Sequence, residues 1–346
     1  MKTIAALTLF TLSLDPTWAI AETYAEKLGW PEGTKVLIVH IDDAGMSHDS
    51  NLGTIKALEQ GMANSFSVMM PCPWVSEITK YIAENPDSDA GLHLTLTSEW
   101  DGYRWGPSAG KPTVPGLVDK EGALWGKVED VVEKATPEEV DIEIRSQLDR
   151  ARTMGFEPTH LDSHMGTLFA DMNFLEKYIQ LGAEEGIPIM FPGGHVYFTA
   201  QENPNWPVSL IQLMGKKVWD AGLPVLDDLH NTSYGWKRED KVEKFVEAVH
   251  DIKPGVTMMI VHCTDPTETF PLFTSSSESR LGDLEGVMSP EFKKAIEDEG
   301  IILTTFRELK QRRDAVKEKE HAVGIREAEL AYPVDRVAHR IVRCEV

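Results

Sequence analysis

The sequence predicts an α/β fold: a (β/α) barrel-like domain, distorted or seven-stranded, with mostly parallel strands, outer helices and one long loop insertion. Two observations predict it. From Lys35 onward, short runs of β-branched and apolar residues alternate with longer stretches of helical character, about seven times in succession. In addition, His and Asp fall at or near the ends of four of those runs, where α/β folds carry their chemistry.

Taken in order, the chain opens on Lys2, the apolar run "IAALTLFTLSL" and the small residues Ala19 to Ala21. The apolar run is too short to span a bilayer, so residues 1–21 read as a secretory signal peptide and an exported, periplasmic or secreted, mature chain is expected. Strands are expected at 35–41, 65–70, 90–96, 158–163, 187–190, 224–227, 257–262 and 301–305, with helices near 49–60, 74–84, 137–154, 171–185, 238–250 and 290–299. Thr136-Pro137-Glu138-Glu139 is a helix start with an N-cap, a first-turn proline and a glutamate three residues on, and Ser289-Pro290 repeats the theme. Residues 97–127 break the rhythm with Gly, Pro and large aromatics and read as a loop insertion, and 263–289 read as a polar connection. The main domain is therefore placed at 22–310, followed by a charged tail at 311–346 that forms a solvated helix or frays.

Composition limits the partners. With a formal charge of −22, a basic surface for nucleic acid or anionic lipid is not expected, and no segment after residue 21 is apolar for long enough to cross a membrane. Neutral substrates fit better. Cys72, Cys263 and Cys344 are odd in number and widely spaced, signalling neither a disulfide framework nor a zinc-thiolate site. Met69, Met70, Met258 and Met259 lie in expected strands as core residues.

The chemistry concentrates in four places. Asp42 and Asp43 end the first strand in "VHIDDAGM", His93 lies in "GLHLTL", His160, Asp162 and His164 share "THLDSHMG", and His262 ends "TMMIVH". Two adjacent Asp on a continuous strand point to opposite faces, so they serve one site only if the strand ends there and the backbone turns, as Gly45 permits. The alternative is that they cap a turn. One carboxylate and two imidazoles with open positions make a catalytic metal site, beside which a second carboxylate acts as general base. The same ligand set occurs in non-haem iron oxygenases, which usually sit on antiparallel jelly rolls, and an exported sugar- or metal-binding protein without catalysis is a third reading.

"HIDDAG", "GLHLTLT" and "THLDSH", in this order and spacing, resemble the YdjC-like carbohydrate deacetylases, which include chitooligosaccharide deacetylases and are related to polysaccharide deacetylases; the likeness runs from about Lys35 to Leu309. The resemblance implies removal of acetyl groups from N-acetylated sugars or oligosaccharides with a divalent metal ion, Zn or Mg. Position by position it implies Asp43, His93 and His164 as metal ligands, Asp42 as catalytic base and His262 as general acid. It also implies Arg280 as a support for the carboxylates. The third motif departs from the family pattern at Met165 and Gly166, and the first at Ala44, which should reshape the pocket. His160 and Asp162 are then expected to orient His164 or its loop, or else to form a structural network. Trp100, Tyr103, Trp105 and Trp125 in the insertion are candidates to stack on sugar rings, or alternatively to form the insertion's own core.

Overall fold

In the computed structural model, which describes residues 22–331, a parallel sheet curls around a filled interior. The proposed signal peptide and Cys344 lie outside the described residues. A one-turn helix α1 (Tyr24–Lys27), closed by a Thr23–Glu26 capping box, precedes β1 (Lys35–Ala44) and α2 (His48–Gln60). Then follow β2 (Ser65–Val68), α3 (Val75–Glu84) and β3 (Ala90–Leu94). Beyond the insertion come α4 (Val128–Lys134), α5 (Pro137–Thr153), β4 (Leu161–Ser163) and α6 (Met172–Glu185). The remainder is α7 (Tyr197–Glu202), α8 (Val208–Asp220), β5 (Asp228–His230), α9 (Lys241–Asp251) and β6 (Gly255–Val261), then α10 (Ser277–Met288), α11 (Pro290–Asp298), β7 (Ile302–Leu303) and α12 (Phe306–Ala331).

The strand order is β4-β3-β2-β1-β6-β5, with β7 paired to the start of β1, and every pairing is parallel. Segments 187–190 and 224–227, expected as strands, contribute only the single parallel bridges Leu161–Ile189 and Pro192–Leu226. Pro188, Pro192 and Pro224 lack the N–H that a longer ladder needs. These bridges nevertheless join β4 to the approach of β5, which makes the structure a distorted (β/α) barrel of the expected kind.

Period-two alternation fills the interior. Val36 and Ile38 of β1 pack inward with Val256, Met258 and Ile260 of β6, Leu229 of β5 and Phe306. Further along β1 the same inward positions become His40 and Asp42, so the barrel is apolar at its base and polar at its C-terminal end. Leu37, Val39 and Ile41 belong instead to the larger core between sheet and helices. Helix starts follow the local sequence: Thr136 and Glu139 form a capping box on α5 with Pro137 inside the first turn, and Ser289 caps α11.

Three departures from the sequence reading have identifiable causes. Helix α10 occupies the expected polar connection, its buried residues mixing Arg280, Gly282, Asp283 and Gly286 with the apolar Leu284 and Val287. A side chain at Gly286 would collide with the ring of Phe245, so α10 lies flush on α9. Helices α7 and α8 fill a region for which no helix was expected. The charged segment from 311 onward continues α12 without a break at 310, docked by Arg312 over Trp30 at 3.8 Å and Arg313 over Trp219 at 3.9 Å. Residues 97–127 do form a loop insertion, anchored where the buried Glu143 carboxylate accepts from the Ser108 and Ala109 amides at 2.8 and 2.9 Å.

His160 sits deep in the barrel, stacked on Phe306 with ring centroids 4.1 Å apart, and a Cβ at Gly91 would run into its imidazole. Gly91→Ala is therefore expected to destabilise the fold by about 2–3 kcal/mol, read from urea unfolding. Adding His160→Ala should recover part of that loss, because the two changes share one contact.

Candidate functional site

Asp42 and Asp43 both face His93 Nε2, at 3.7 and 3.2 Å, and the backbone explains how. The ladder between β1 and β2 is irregular between Ile41 and Ala44, and Asp43 has a φ of 68° with Gly45 at 83°. Asp42 points inward by the strand's alternation. Asp43, which alternation would send outward, is turned inward by its left-handed backbone, a conformation that Asp tolerates better than most residues.

Three side chains meet there. Asp43 Oδ1 lies 3.2 Å from His93 Nε2 and 3.3 Å from His164 Nδ1, and the two imidazole nitrogens are 3.2 Å apart. These donor atoms form one of the closely spaced groups suited to a metal ion. Ligands about 2.1 Å from an ion stand roughly 3.0 Å apart in octahedral and roughly 3.4 Å apart in tetrahedral arrangements, so the observed spacing fits a cation. Asp43 Oδ1, the oxygen that faces the two imidazoles, is buried without an aligned hydrogen-bond partner, as expected for an atom kept for an ion.

Each histidine is held from behind. His93 Nδ1 is 2.7 Å from Asp162 Oδ1, and His164 Nε2 is 3.1 Å from Glu99 Oε2. The carboxylates fix the tautomers: each imidazole donates its outer N–H and turns a lone pair inward. Asp162 therefore orients His93 and not His164, near which it was expected. His160 touches neither ligand. It bonds Thr159 at 3.0 Å and stacks on Phe306, and burial lowers its pKa to about 4, so it is a neutral core residue.

Charge compensation comes from two groups. Arg280 Nη1 pairs with Asp43 Oδ2 at 2.7 Å, clamped beneath Trp100 and Tyr234 with ring centroids 5.4 and 5.2 Å from the guanidinium. Burial alone would raise the Asp43 pKa, but Arg280, His164 and His93 hold it well below the usual carboxylate range. His40, missed by the sequence reading, puts Nε2 2.9 Å from Asp162 Oδ2 and 3.3 Å from Asp42 Oδ1. Burial pulls its pKa down, but Asp162 and Asp42 outweigh that and raise it to about 9.

His262 Nε2 lies 3.8 Å from Asp42 Oδ2, and the backbone N–H of His262 donates to Asp283 Oδ2 at 2.8 Å. Asp283 is fully buried in an ion pair with Lys241 at 2.6 Å, which fixes the end of β6. Burial also lowers the His262 pKa.

Asp42 and His262 open onto a cleft of about 400 Å³ walled by Met165, Phe169, Met190, Phe191, Trp206, Ile211, Leu229 and Ile260. Trp100, Tyr103, Trp105 and Trp125 are not among its lining residues. Trp100 packs on Tyr103, Trp105, Phe270 and Phe273, while the Trp105 and Trp125 indoles donate to the Thr97 and Gly116 carbonyls at 2.8 Å. They form the insertion's own core, and Trp100 among them lies against Arg280.

A (β/α) barrel that gathers carboxylates and imidazoles at the C-terminal ends of its strands defines the class: a rim-site enzyme architecture. The chain belongs to the YdjC-like family, whose sequence profile matches residues 36–298. It is 31% identical over 287 residues to a chitooligosaccharide deacetylase of Serratia marcescens, covering 80% of this chain and 99% of that one. A carbohydrate deacetylase of Brevibacillus brevis is 29% identical over 277 residues, covering 79% and 99%. Among solved structures, one from Enterococcus faecalis V583, described as a cellobiose-phosphate cleavage protein, superposes with a TM-score of 0.67 at 22% identity, covering 80% and 99%. That likeness supports the fold. The all-parallel barrel leaves the oxygenase reading, tied to antiparallel jelly rolls, without a structural basis.

The pH dependence of stability follows from His40. Its folded pKa of about 9 exceeds the ordinary value of about 6.5, so its charge stabilises fully below pH 6.5 and that contribution is lost as pH rises through 9. In chelator-treated protein, unfolding free energy should fall over this window, and His40→Asn should make the fall shallower by about 1–3 kcal/mol.

Proposed function

We propose that the chain is a divalent-metal-dependent hydrolase that removes acetyl groups from N-acetylated sugars or oligosaccharides. The observation that carries the reading is the convergence of Asp43, His93 and His164 on one point, with Asp42 facing the same point from the cleft. Two nitrogens and one oxygen suit Zn best, with Mg the harder-ligand alternative. Such an ion, when bound, supplies Lewis-acid chemistry to the amide carbonyl and to the attacking water. The names of the relatives, carbohydrate and chitooligosaccharide deacetylase, supply the substrate class. The leader-like residues 1–21 support an exported enzyme that meets glycans outside the cytoplasm.

The chain's own groups divide the work. Asp43, kept ionised by Arg280, is the anionic ligand. Asp42 has one oxygen held by His40 and the other turned toward the cleft, where it takes the proton of the attacking water. Water oxygen forms the new C–O bond, the amide C–N bond breaks, and acetate and a free amine leave. His262 is neutral at rest because burial lowers its pKa, so it acts as acid only after receiving a proton, for which Asp42 lies 3.8 Å away.

The test is acetate release from N-acetylglucosamine oligomers with and without Zn²⁺ or Mg²⁺. Asp42→Asn should lower kcat by about 10²–10⁴ while metal content is unchanged, and chelation should abolish release. Asp162→Asn should instead weaken metal affinity by about 10–100-fold, measured by chelator competition. Full release after chelation, or an unimpaired Asp42→Asn enzyme, would refute the mechanism.

A further inference from the structure

The cleft beside Asp42 is poorly suited to a bare sugar. A carbohydrate brings many hydroxyls, each needing a partner once desolvated. Yet few polar side chains line the wall, and three of those already hold a protein partner: Ser163 Oγ accepts from the Leu168 amide at 3.0 Å, Thr199 Oγ1 bonds Asp228 Oδ1 at 3.0 Å, and Asn203 Nδ2 donates to the Thr199 carbonyl at 3.3 Å. Asn231 completes the polar lining, apart from Asp42 and His262 at the reacting end. The lining includes no lysine or arginine, so a phosphorylated or other anionic group finds no counter-charge there.

The rest of the wall is apolar and shaped. Phe169 packs between Phe191 and Trp206 with ring centroids 6.0 and 6.4 Å away, making an aromatic side to the cleft. At about 400 Å³ the space lies within the range of small-molecule sites, roughly 300–1,000 Å³, and far exceeds an acetyl methyl. The wall residue Trp206 is itself 37% exposed, so the apolar wall reaches solvent there.

We propose that the physiological substrate is an N-acylated amino sugar bearing an apolar substituent of several carbons, which lies against Phe169, Phe191, Trp206 and Ile211 while its amide sits at Asp42. This deepens the deacetylase reading and rests on it for the position of the amide. The substituent is either the acyl chain itself or a hydrophobic aglycone. Hydrolysis is the same in both: the amide C–N bond is exchanged for C–O, releasing a carboxylate and an amine.

The metal-loaded full chain is assayed on three compounds: the methyl and hexyl β-glycosides of N-acetylglucosamine, and the methyl β-glycoside of N-hexanoylglucosamine. A gain in kcat/KM of at least about tenfold over the methyl N-acetyl compound is expected in one hexyl-bearing arm. A gain in the glycoside arm assigns the aglycone, and a gain in the amide arm assigns the acyl chain. Trp206→Ala, at an exposed rim position, should cut that gain at least about threefold, and so should Ile211→Asn. Equal rates on all three compounds would overturn the inference and leave the deacetylase reading standing, as would a gain that survives both substitutions. If none of the three is hydrolysed, acetate release from N-acetylglucosamine oligomers decides the deacetylase reading, and calorimetric binding of the same three compounds decides this one. Binding at least tenfold tighter for a hexyl compound supports the apolar site, and equal or absent binding overturns it.

Discussion

The arrangement depends on one residue held where its side chain would not ordinarily point. A strand sends neighbouring side chains to opposite faces. Asp43 escapes this through a left-handed backbone at φ 68°, which costs a non-glycine residue on the order of 1–2 kcal/mol. What offsets it is the surrounding charge: Arg280 at 2.7 Å and two imidazoles at 3.2 and 3.3 Å. Arg280 is itself buried, and its guanidinium is flanked by Trp100 from the insertion and Tyr234 from the loop after β5. The insertion, the loop and α10 therefore converge on one carboxylate. An aspartate stripped of these neighbours would be a buried charge without compensation, several kcal/mol too costly to keep.

A second principle governs the histidines. Each imidazole of the cluster has its outer nitrogen on a carboxylate, Asp162 for His93 and Glu99 for His164. His40 then links Asp162 to Asp42, with Ser65 and Ser67 at 2.9 and 3.1 Å completing its shell. A buried polar network is favourable only when nearly every member is satisfied. Here Asp43 Oδ1, buried without an aligned hydrogen-bond partner, stands between the two imidazole nitrogens, at the point where an ion would sit.

How much of this was legible follows from the same periodicity. The parallel alternation of strands and helices, the capping sequence at Thr136 and the strand-end positions of Asp42, His93 and His262 are local signals, and they were readable. So was the grouping of Asp43 with His93 and His164, once the motifs suggested a family. His40 was missed although it stands two residues before Asp42, on the same inward-facing row as Val36 and Ile38, which is a signal the sequence contains. Glu99 and Asp283 carry no such signal. Their partners His164 and Lys241 are 65 and 42 residues away in the chain, and only the fold brings them together. Helix α10 was missed because its buried residues include only Leu284 and Val287 as large apolar side chains among Arg280, Asp283 and two glycines, which weakens an argument from apolar periodicity.

The same division separates chemistry from specificity. The groups proposed to act on the amide lie on regular strand ends, where alternation and spacing constrain them. The cleft wall comes from the turn at Met165 and Gly166, the Pro-rich bridge at 188–193 and the approach to α8. These segments have no strict period, so the sequence reading looked for substrate contacts in the aromatic insertion. Those aromatics pack the insertion itself instead, and Trp100 alone of the four lies against Arg280. Trp206 and Phe169, single aromatics beside irregular backbone, became the wall. Residues fixed by periodicity thus point to the reaction, whereas the identity of the molecule that undergoes it is set where the backbone is least regular.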